Sequence, residues 1–160
     1  MFDVAIIGAG VVGVLTAREL TRYKLSVCLL EKENDVAMGA SKANSGIIHG
    51  GFDPEPGTLK AKLNAKGVPL LYKAAGELNV PCKNNGSMVL AFGKEEDAVI
   101  DELYARGIKN GIKGMDILSG TEARRLESNL SDKVTKALLV TNAGICLLYT
   151  SPSPRDAHES

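Results

Sequence analysis

The sequence predicts an α/β fold that begins with a strand–helix–strand (βαβ) unit and continues into a mixed α+β region. The apolar run Val4–Ile7 leads directly into a glycine-rich turn, Gly8–Gly13. A second apolar run, Leu25–Leu30, is followed at once by an acid, Glu31. A strand, a glycine turn, a helix, a strand and a terminal acid within about thirty residues form one mechanical unit. The 160 residues are enough for a domain with a hydrophobic core.

The glycines of the turn follow the spacing of a dinucleotide-binding motif. Because the chain holds 17 glycines, a chance match is common, and the motif gains its weight from its position between a strand and a helix. Gly8 permits the tight turn, Gly10 lets a pyrophosphate approach the backbone, and Gly13 lets helix and strand pack closely. The helix, predicted over Val11 to Tyr23 with Val12 among the cofactor-binding positions, directs unpaired amides and its positive dipole end at the phosphate. The alternative is a turn that packs the unit and binds nothing.

Glu31 ends the second strand, where a carboxylate can accept hydrogen bonds from the ribose hydroxyls of an adenosine. Its charge disfavours a 2′-phosphate, which argues against NADP. Lys32 follows and is counted with Glu31 among the cofactor-binding residues.

Composition excludes several functions. The chain has 19 basic and 19 acidic residues, so it carries no electrostatic footprint for nucleic acid. No apolar stretch reaches the roughly 20 residues of a membrane span, and no leader precedes the first strand. We therefore expect a cytoplasmic protein without a transmembrane segment, with a peripheral position at the inner face of the membrane left open. Two histidines and three cysteines without C-x-x-C spacing predict neither a metal site nor a disulfide framework, and Cys28 is expected to be a core residue of a strand.

A second polar, glycine-rich segment follows Lys32, in place of the long helix of an NAD-type unit. Its candidate cofactor-binding residues are Ser41, Lys42, Asn44 and Ser45. Hydroxyl, amide and backbone donors suit an extended ribityl-pyrophosphate better than a nicotinamide. The alternative is a solvated surface loop.

His49 is the candidate catalytic residue because it follows this loop by only a few positions. We expect it near the cofactor or a substrate carboxylate. The alternative is a packing histidine, since the sequence shows no acid partner that would make it a base.

Four segments of this region resemble the N-terminus of FAD-dependent oxidoreductases of the D-amino-acid-oxidase/glycerol-3-phosphate-dehydrogenase superfamily. They are Ile7–Gly13, Leu30–Lys32, Ser41–His49 and Pro56–Leu63, and the likeness runs from Met1 to about Ile145. The resemblance is strongest to anaerobic-type glycerol-3-phosphate dehydrogenases, with L-2-hydroxyglutarate oxidases close behind. It implies FAD in extended form, with its ribose at Glu31, its pyrophosphate at the glycine turn and its flavin beyond the second loop. The implied fold is a truncated one: an FAD-binding βαβ (Rossmann-like) unit with the start of a mixed α+β substrate domain.

The resemblance also implies an activity. We expect the N-terminal part of an FAD-dependent dehydrogenase that oxidises a hydroxyl-bearing carbon, with glycerol 3-phosphate as the first-choice substrate. Flavin would take the hydride and pass electrons to a quinone or another acceptor. The alternatives are oxidation of L-2-hydroxyglutarate, a hydroxy acid, and a nucleotide-binding module without turnover. Most substrate-binding groups are expected beyond residue 145, so the 160-residue chain alone should be inactive.

The remaining chain predicts scaffold elements and three regions. Helices are expected over Lys60–Leu78, kinked or divided at Pro69, over Lys94–Asn110, and from a capping box at Ser119 to Glu127. Strands are expected over Ser87–Phe92, Asp116–Leu118 and Lys136–Thr141, and Pro81–Gly86 is expected to be a turn. Leu63, Leu70 and Leu71 should share the apolar side of the first helix, and Val99, Ile100, Leu103 and Ile108 should be buried on the second. The expected regions are residues 1–57, the N-terminal part of the FAD-binding domain; 58–145, with further FAD-domain segments and the start of the substrate domain; and the tail 146–160.

The last region, Cys146–Ser160, matches in its first eleven residues the translation of a transposase sequencing-library adapter. We therefore expect the natural sequence to end near Ile145 and the remainder to be an extended tail without significant tertiary contacts. The alternative is a natural linker rich in serine and proline.

Overall fold

A computed structural model describes residues 1–146 of the chain. Within them the chain divides into two compact units, Met1–Ser45 and residues 46–146. The predicted boundary at residue 57 concerns the domains of a complete protein and stays a prediction.

The first unit is the predicted βαβ arrangement. Strand β1 (Val4–Ile7) is followed by helix α1 (Val11–Leu20) and strand β2 (Val27–Leu30). The strands pair in parallel, from Val4 opposite Val27 to Ile7 opposite Leu30. Helix α1 ends three residues earlier than predicted because the amides of Arg22 and Tyr23 bond three residues back and tighten the chain into a turn.

The second unit contains nine elements around two antiparallel sheets. In chain order they are β3 (Ile47–Ile48), α2 (Leu59–Glu77), β4 (Cys82–Lys83), β5 (Ser87–Ala91), α3 (Lys94–Lys109), β6 (Met115–Ser119), α4 (Gly120–Leu126), β7 (Lys136–Val140) and β8 (Gly144–Cys146). One sheet has the order β3-β8-β4 and the other β5-β7-β6. The predicted succession of helices and strands is confirmed, and the three shortest strands, β3, β4 and β8, are additional. Strand β4 lies within Pro81–Gly86, so the prediction of a turn over that whole segment is wrong.

The core of the second unit lies between helix α3 and the sheet β5-β7-β6. Leu138 and Val140 of the central strand are fully buried, together with Ile100 of α3. At the edge of this core, the Lys136 ammonium lies 2.9 Å from the Asp101 carboxylate and ties β7 to α3. Strand β7, which pairs with β5 on one side and with β6 on the other, therefore lies at the centre of this core.

Two predicted buried positions on α3 are wrong. Val99 and Ile108 are about half exposed, whereas Ile100 is buried. The residues that meet the sheet continue from Ile100 through Leu103, Tyr104 and Gly107, at spacings of three, four and seven. Val99 and Ile108 lie outside this stripe.

Helix α2 also differs from prediction. It is one continuous helix with Pro69 inside it, so the chain is not divided there. Its buried residues are Ala61, Val68 and Ala75, which repeat every seven positions. Leu63 and Leu70 are mostly exposed, and the predicted apolar side is wrong for these two residues. The prediction assumed that the large leucine side chains mark the buried face. The buried face instead consists of two alanines and a valine.

The capping box at the start of α4 is confirmed. The Ser119 hydroxyl accepts a hydrogen bond from the Glu122 amide, and the Glu122 carboxylate accepts one from the Ser119 amide. The Ser119 hydroxyl also donates to the Glu122 carboxylate at 2.6 Å, and this bond, followed by the one from the Ser119 amide, holds the pKa of Glu122 below its ordinary value.

The expectation of no disulfide is wrong. Cys82 and Cys146 are disulfide-bonded, and they are direct partners on the antiparallel strands β4 and β8. The prediction failed because neither strand was expected. Cys146 was also assigned to a tail without tertiary contacts, and this is wrong for Cys146 itself; residues 147–160 lie outside the described part. Cys28 is a free cysteine in β2, which confirms its place in a strand, but it is half-buried and not part of the buried core.

Candidate functional site

The glycine turn of the first unit is closed by backbone contacts that only glycine permits. The Gly8 amide donates to the Leu30 carbonyl oxygen at 2.7 Å, which joins the start of the turn to the end of β2. Gly8 has a φ of +98°, a conformation that L side chains rarely adopt. A Cβ at Gly13 would overlap the Gly8 carbonyl oxygen. The first and last glycines therefore act as the motif predicts, one in the turn and one in close packing.

Ser41 reaches the N-terminus of helix α1. Gly10, the N-cap residue, has no side chain to accept from the first amides of the helix. Instead, the Val11 amide donates to the Ser41 hydroxyl at 2.8 Å. A Cβ at Gly10 would lie 3.2 Å from the same oxygen, so glycine leaves room for the serine. Within the first unit, the second predicted loop therefore touches the first.

Glu31 is held by three backbone amides. One carboxylate oxygen accepts from Ala9 at 2.7 Å, and the other accepts from Lys32 at 2.8 Å and Glu33 at 3.1 Å. These bonds, the one from Ala9 first, hold the pKa of Glu31 below its ordinary value of 4.5. A carboxylate accepts about four hydrogen bonds, so one acceptor position is left on the oxygen that faces Ala9.

Ala9 is the site residue that the sequence prediction missed. Its amide donates to Glu31, and its carbonyl oxygen accepts from the Ala37 amide at 3.0 Å. Both groups belong to the backbone, so the side chain gave no signal. The only indication was its place between the first two glycines of the motif.

The other predicted cofactor-binding residues of this unit are exposed. Val12 lies in the first turn of α1, and Lys32 pairs with Glu33 at 3.3 Å. Lys42 approaches the Met38 sulfur at 4.0 Å. The Asn44 side-chain amide donates to the carbonyl oxygens of its own loop at Ala40 and Ser41, and Ser45 ends the unit. The hydrogen bonds and close approaches described above link Gly8 with Gly13, Gly10 with Ser41, the Lys32 amide with Glu31, and Asn44 with Ser41.

His49 lies in the second unit, directly after strand β3. Its side chain is exposed, whereas Ile48 and Gly50 on either side are buried. Its predicted place near the cofactor stays a prediction.

The first unit meets the requirements of a dinucleotide. The first turn of α1 carries no acidic side chain, so the positive end of its dipole is not neutralised. The turn is free of side-chain atoms at Gly8, where a Cβ would meet nothing within 4 Å. An anion at the helix start and a ribose at Glu31 match the donors and acceptors present. These features are typical of a nucleotide-binding βαβ unit.

Comparison with known proteins gives the family. The family model described as FAD dependent oxidoreductase matches residues 3–150. The chain therefore belongs to this family of FAD-dependent oxidoreductases, which confirms the predicted resemblance, the mixed α/β fold and FAD as the cofactor.

Three relatives illustrate the family. Glycerol 3-phosphate dehydrogenase of Caloramator mitchellensis is 51% identical over 145 residues, which are 91% of this chain and 30% of that protein. The mitochondrial L-2-hydroxyglutarate dehydrogenase of Nematostella vectensis is 40% identical over 90% of this chain and 32% of its own length. The FAD-bound L-alpha-glycerophosphate oxidase of Mycoplasma pneumoniae superposes with a TM-score of 0.84 at 35% identity, over 91% of this chain and 38% of that one. The chain thus spans about a third of the length of these relatives.

Across residues 1–146, no helix is both long and apolar enough to cross a membrane. The predicted cytoplasmic location stays a prediction.

Proposed function

We propose that the whole protein is an FAD-dependent dehydrogenase that oxidises a hydroxyl-bearing carbon of a small substrate, with glycerol 3-phosphate as the first choice. The observation that carries this proposal is the 51% identity to a glycerol 3-phosphate dehydrogenase over 91% of the chain. The glycerophosphate oxidase with a TM-score of 0.84 supports the same substrate class.

In this proposal the first unit binds the adenosine and pyrophosphate parts of FAD. The remaining acceptor position of Glu31 takes a ribose hydroxyl, while the amides at the start of α1 bind phosphate oxygens. The Ser41 hydroxyl accepts from Val11 and keeps its own proton for donation, so it can bind phosphate without breaking the cap. Val12, Lys32, Lys42, Asn44 and Ser45 are proposed to line the cofactor through exposed backbone or polar groups.

FAD supplies the hydride acceptor when it is bound. The residues of this chain bind the cofactor and accept one proton from the substrate. Loss of a hydride from a hydroxyl-bearing carbon requires the hydroxyl proton to leave as well, and an imidazole is a suitable acceptor at neutral pH. We assign this proton to a ring nitrogen of His49, whose exposed side chain is available to a substrate. A quinone or another acceptor would take up the two electrons removed from the substrate.

L-2-hydroxyglutarate is the second candidate substrate. Its support is the 40% identity to the L-2-hydroxyglutarate dehydrogenase of Nematostella vectensis. Both substrates present a hydroxyl-bearing carbon and an anionic group, so the same cofactor site serves either one.

Anaerobic flavin reduction tests the proposal. The whole FAD-loaded protein is mixed with glycerol 3-phosphate or L-2-hydroxyglutarate at equal concentration, and bleaching of the flavin absorbance is followed. Faster reduction by glycerol 3-phosphate is expected. Faster reduction by L-2-hydroxyglutarate would establish the second substrate, and no reduction by either would support a nucleotide-binding module without turnover.

A further inference from the structure

The five residues that follow His49, Gly50–Pro54, form a loop with a buried backbone. Gly50, Gly51 and Pro54 are buried, and Phe52 packs against the core of the second unit. Ile48, which precedes His49, is only 2% exposed. The exposed imidazole is therefore attached to a backbone that is buried immediately before and after it.

Side chains from distant parts of the sequence bind the carbonyl oxygens of this loop. Asn142, after strand β7, donates to Gly50 at 3.2 Å. Asn110, at the end of α3, donates to Pro54 at 2.8 Å and more weakly to Gly51 at 3.4 Å. One guanidinium nitrogen of Arg106 donates to Asp53 at 2.9 Å. Four of the five loop carbonyls are thus held by three side chains.

Packing leaves this loop little freedom. A Cβ at Gly50 would overlap the Val140 side chain and would lie 2.9 Å from the Asn142 side-chain oxygen. Gly51 has a φ of +84°, and a Cβ there would lie 2.8 Å from the Ile112 side chain. Glycine adopts this φ without strain, and the close neighbours at both positions leave the backbone little room to move.

If Asn142 served only to pack against its neighbours, an apolar residue would give a more stable protein at this position. Its side-chain oxygen is buried and has no hydrogen-bond partner among the described residues. An unsatisfied buried acceptor lowers stability, whereas an apolar side chain of similar shape would fill the same space without that penalty. The amide is explained by its bond to Gly50, the residue next to His49.

We propose that Asn142 is a positioning residue for His49, with Asn110 holding the far end of the same loop. The Asn142 bond to Gly50 fixes the backbone that carries the imidazole, and thereby fixes where the imidazole meets the substrate. This inference rests on the function proposed above, in which His49 accepts the substrate proton. A displacement of a reacting group by about 1 Å can lower a rate by roughly 100-fold.

Asn142→Leu separates positioning from stability, because leucine is similar in shape. It removes the unsatisfied Asn142 oxygen and leaves the Gly50 carbonyl oxygen without its donor, so one unpaired buried acceptor replaces another. In the whole FAD-loaded protein we expect an unchanged melting temperature and FAD content, with flavin reduction by glycerol 3-phosphate slowed about 10- to 100-fold. Asn129→Leu, at an exposed position of the same unit, is the matched control and should reduce at the normal rate.

A double-mutant cycle with His49→Gln tests whether Asn142 affects the rate of flavin reduction through His49. If Asn142 acts through His49, Asn142→Leu causes little further loss in the His49→Gln protein. Equal losses in both backgrounds, or a normal rate in Asn142→Leu, would overturn the inference. A normal rate in His49→Gln would remove the proposed proton acceptor and the inference with it, while wild-type flavin that neither substrate reduces would overturn the proposed function.

Amide hydrogen exchange tests the loop without any substrate. Asn142→Leu should speed exchange at residues 50–52 by about tenfold or more, and Asn129→Leu should leave it unchanged. Unchanged exchange in Asn142→Leu would show that the bond does not hold the loop and would overturn the inference, whatever the substrate.

Discussion

Gly13→Ala tests whether close contact between helix α1 and the glycine turn stabilises the first unit. Alanine in a helix is favoured over glycine by about 1 kcal/mol. At Gly13 the new Cβ would overlap the Gly8 carbonyl oxygen, and a backbone atom cannot rotate away. Overpacking costs about 1–3 kcal/mol, and a backbone clash belongs at the upper end of that range. The net loss is therefore about 2 kcal/mol, or a melting temperature lower by about 4–8 °C.

Gly76→Ala is the matched control, since Gly76 lies in helix α2 and a Cβ there would meet nothing within 4 Å. This variant should gain about 0.5–1 kcal/mol from helix propensity. Both changes are measured by thermal unfolding followed by circular dichroism. An increase in melting temperature for Gly13→Ala similar to that for Gly76→Ala would refute the close contact.

Three further predictions concern single side chains. Because the pKa of Glu31 is lowered in the folded protein, its ionised form stabilises the fold above pH 4.5, the ordinary value, and this stabilisation is lost as pH falls through the lower folded pKa. The difference in melting temperature between wild type and Glu31→Gln should therefore shrink below pH 4.5. A difference that stays constant with pH would contradict this prediction. Ser41→Ala should cost about 1 kcal/mol by removing the acceptor for Val11, and Ser41→Thr should cost less, both measured by urea unfolding; equal losses would argue against the cap. Leu138→Ala should cost about 3 kcal/mol in the same assay because Leu138 is fully buried, and a loss under about 1 kcal/mol would mean that the core is elsewhere.

The βαβ unit could be predicted because its signals are local. Strand, glycine spacing, helix and terminal acid follow one another within about thirty residues, and each has one structural role. The capping box at Ser119 and Glu122 is local in the same way, and it is confirmed. Sequence order alone carries enough information for such features.

The features that sequence reasoning missed depend on distant or small contributions. The strands β3, β4 and β8 have two or three residues each and exist only because they pair with one another. The pairing of Cys82 with Cys146 follows from that register, across 64 positions. The buried side of α2 is formed by Ala61, Val68 and Ala75, whose small size gives little hydrophobic signal. The role of Ala9 uses only backbone atoms, which no side-chain pattern reveals.

The central claim is that the first unit binds FAD through the glycine turn, Ser41 and Glu31. The most direct measurement is the dissociation constant of FAD for the whole protein and its Glu31→Ala variant, obtained from flavin fluorescence, with NAD measured in parallel. The account predicts that FAD binds more tightly than NAD and that Glu31→Ala weakens FAD about tenfold or more, since ribose loses its charged acceptor. Equal affinity of wild type and variant for FAD, or tighter binding of NAD, would contradict it.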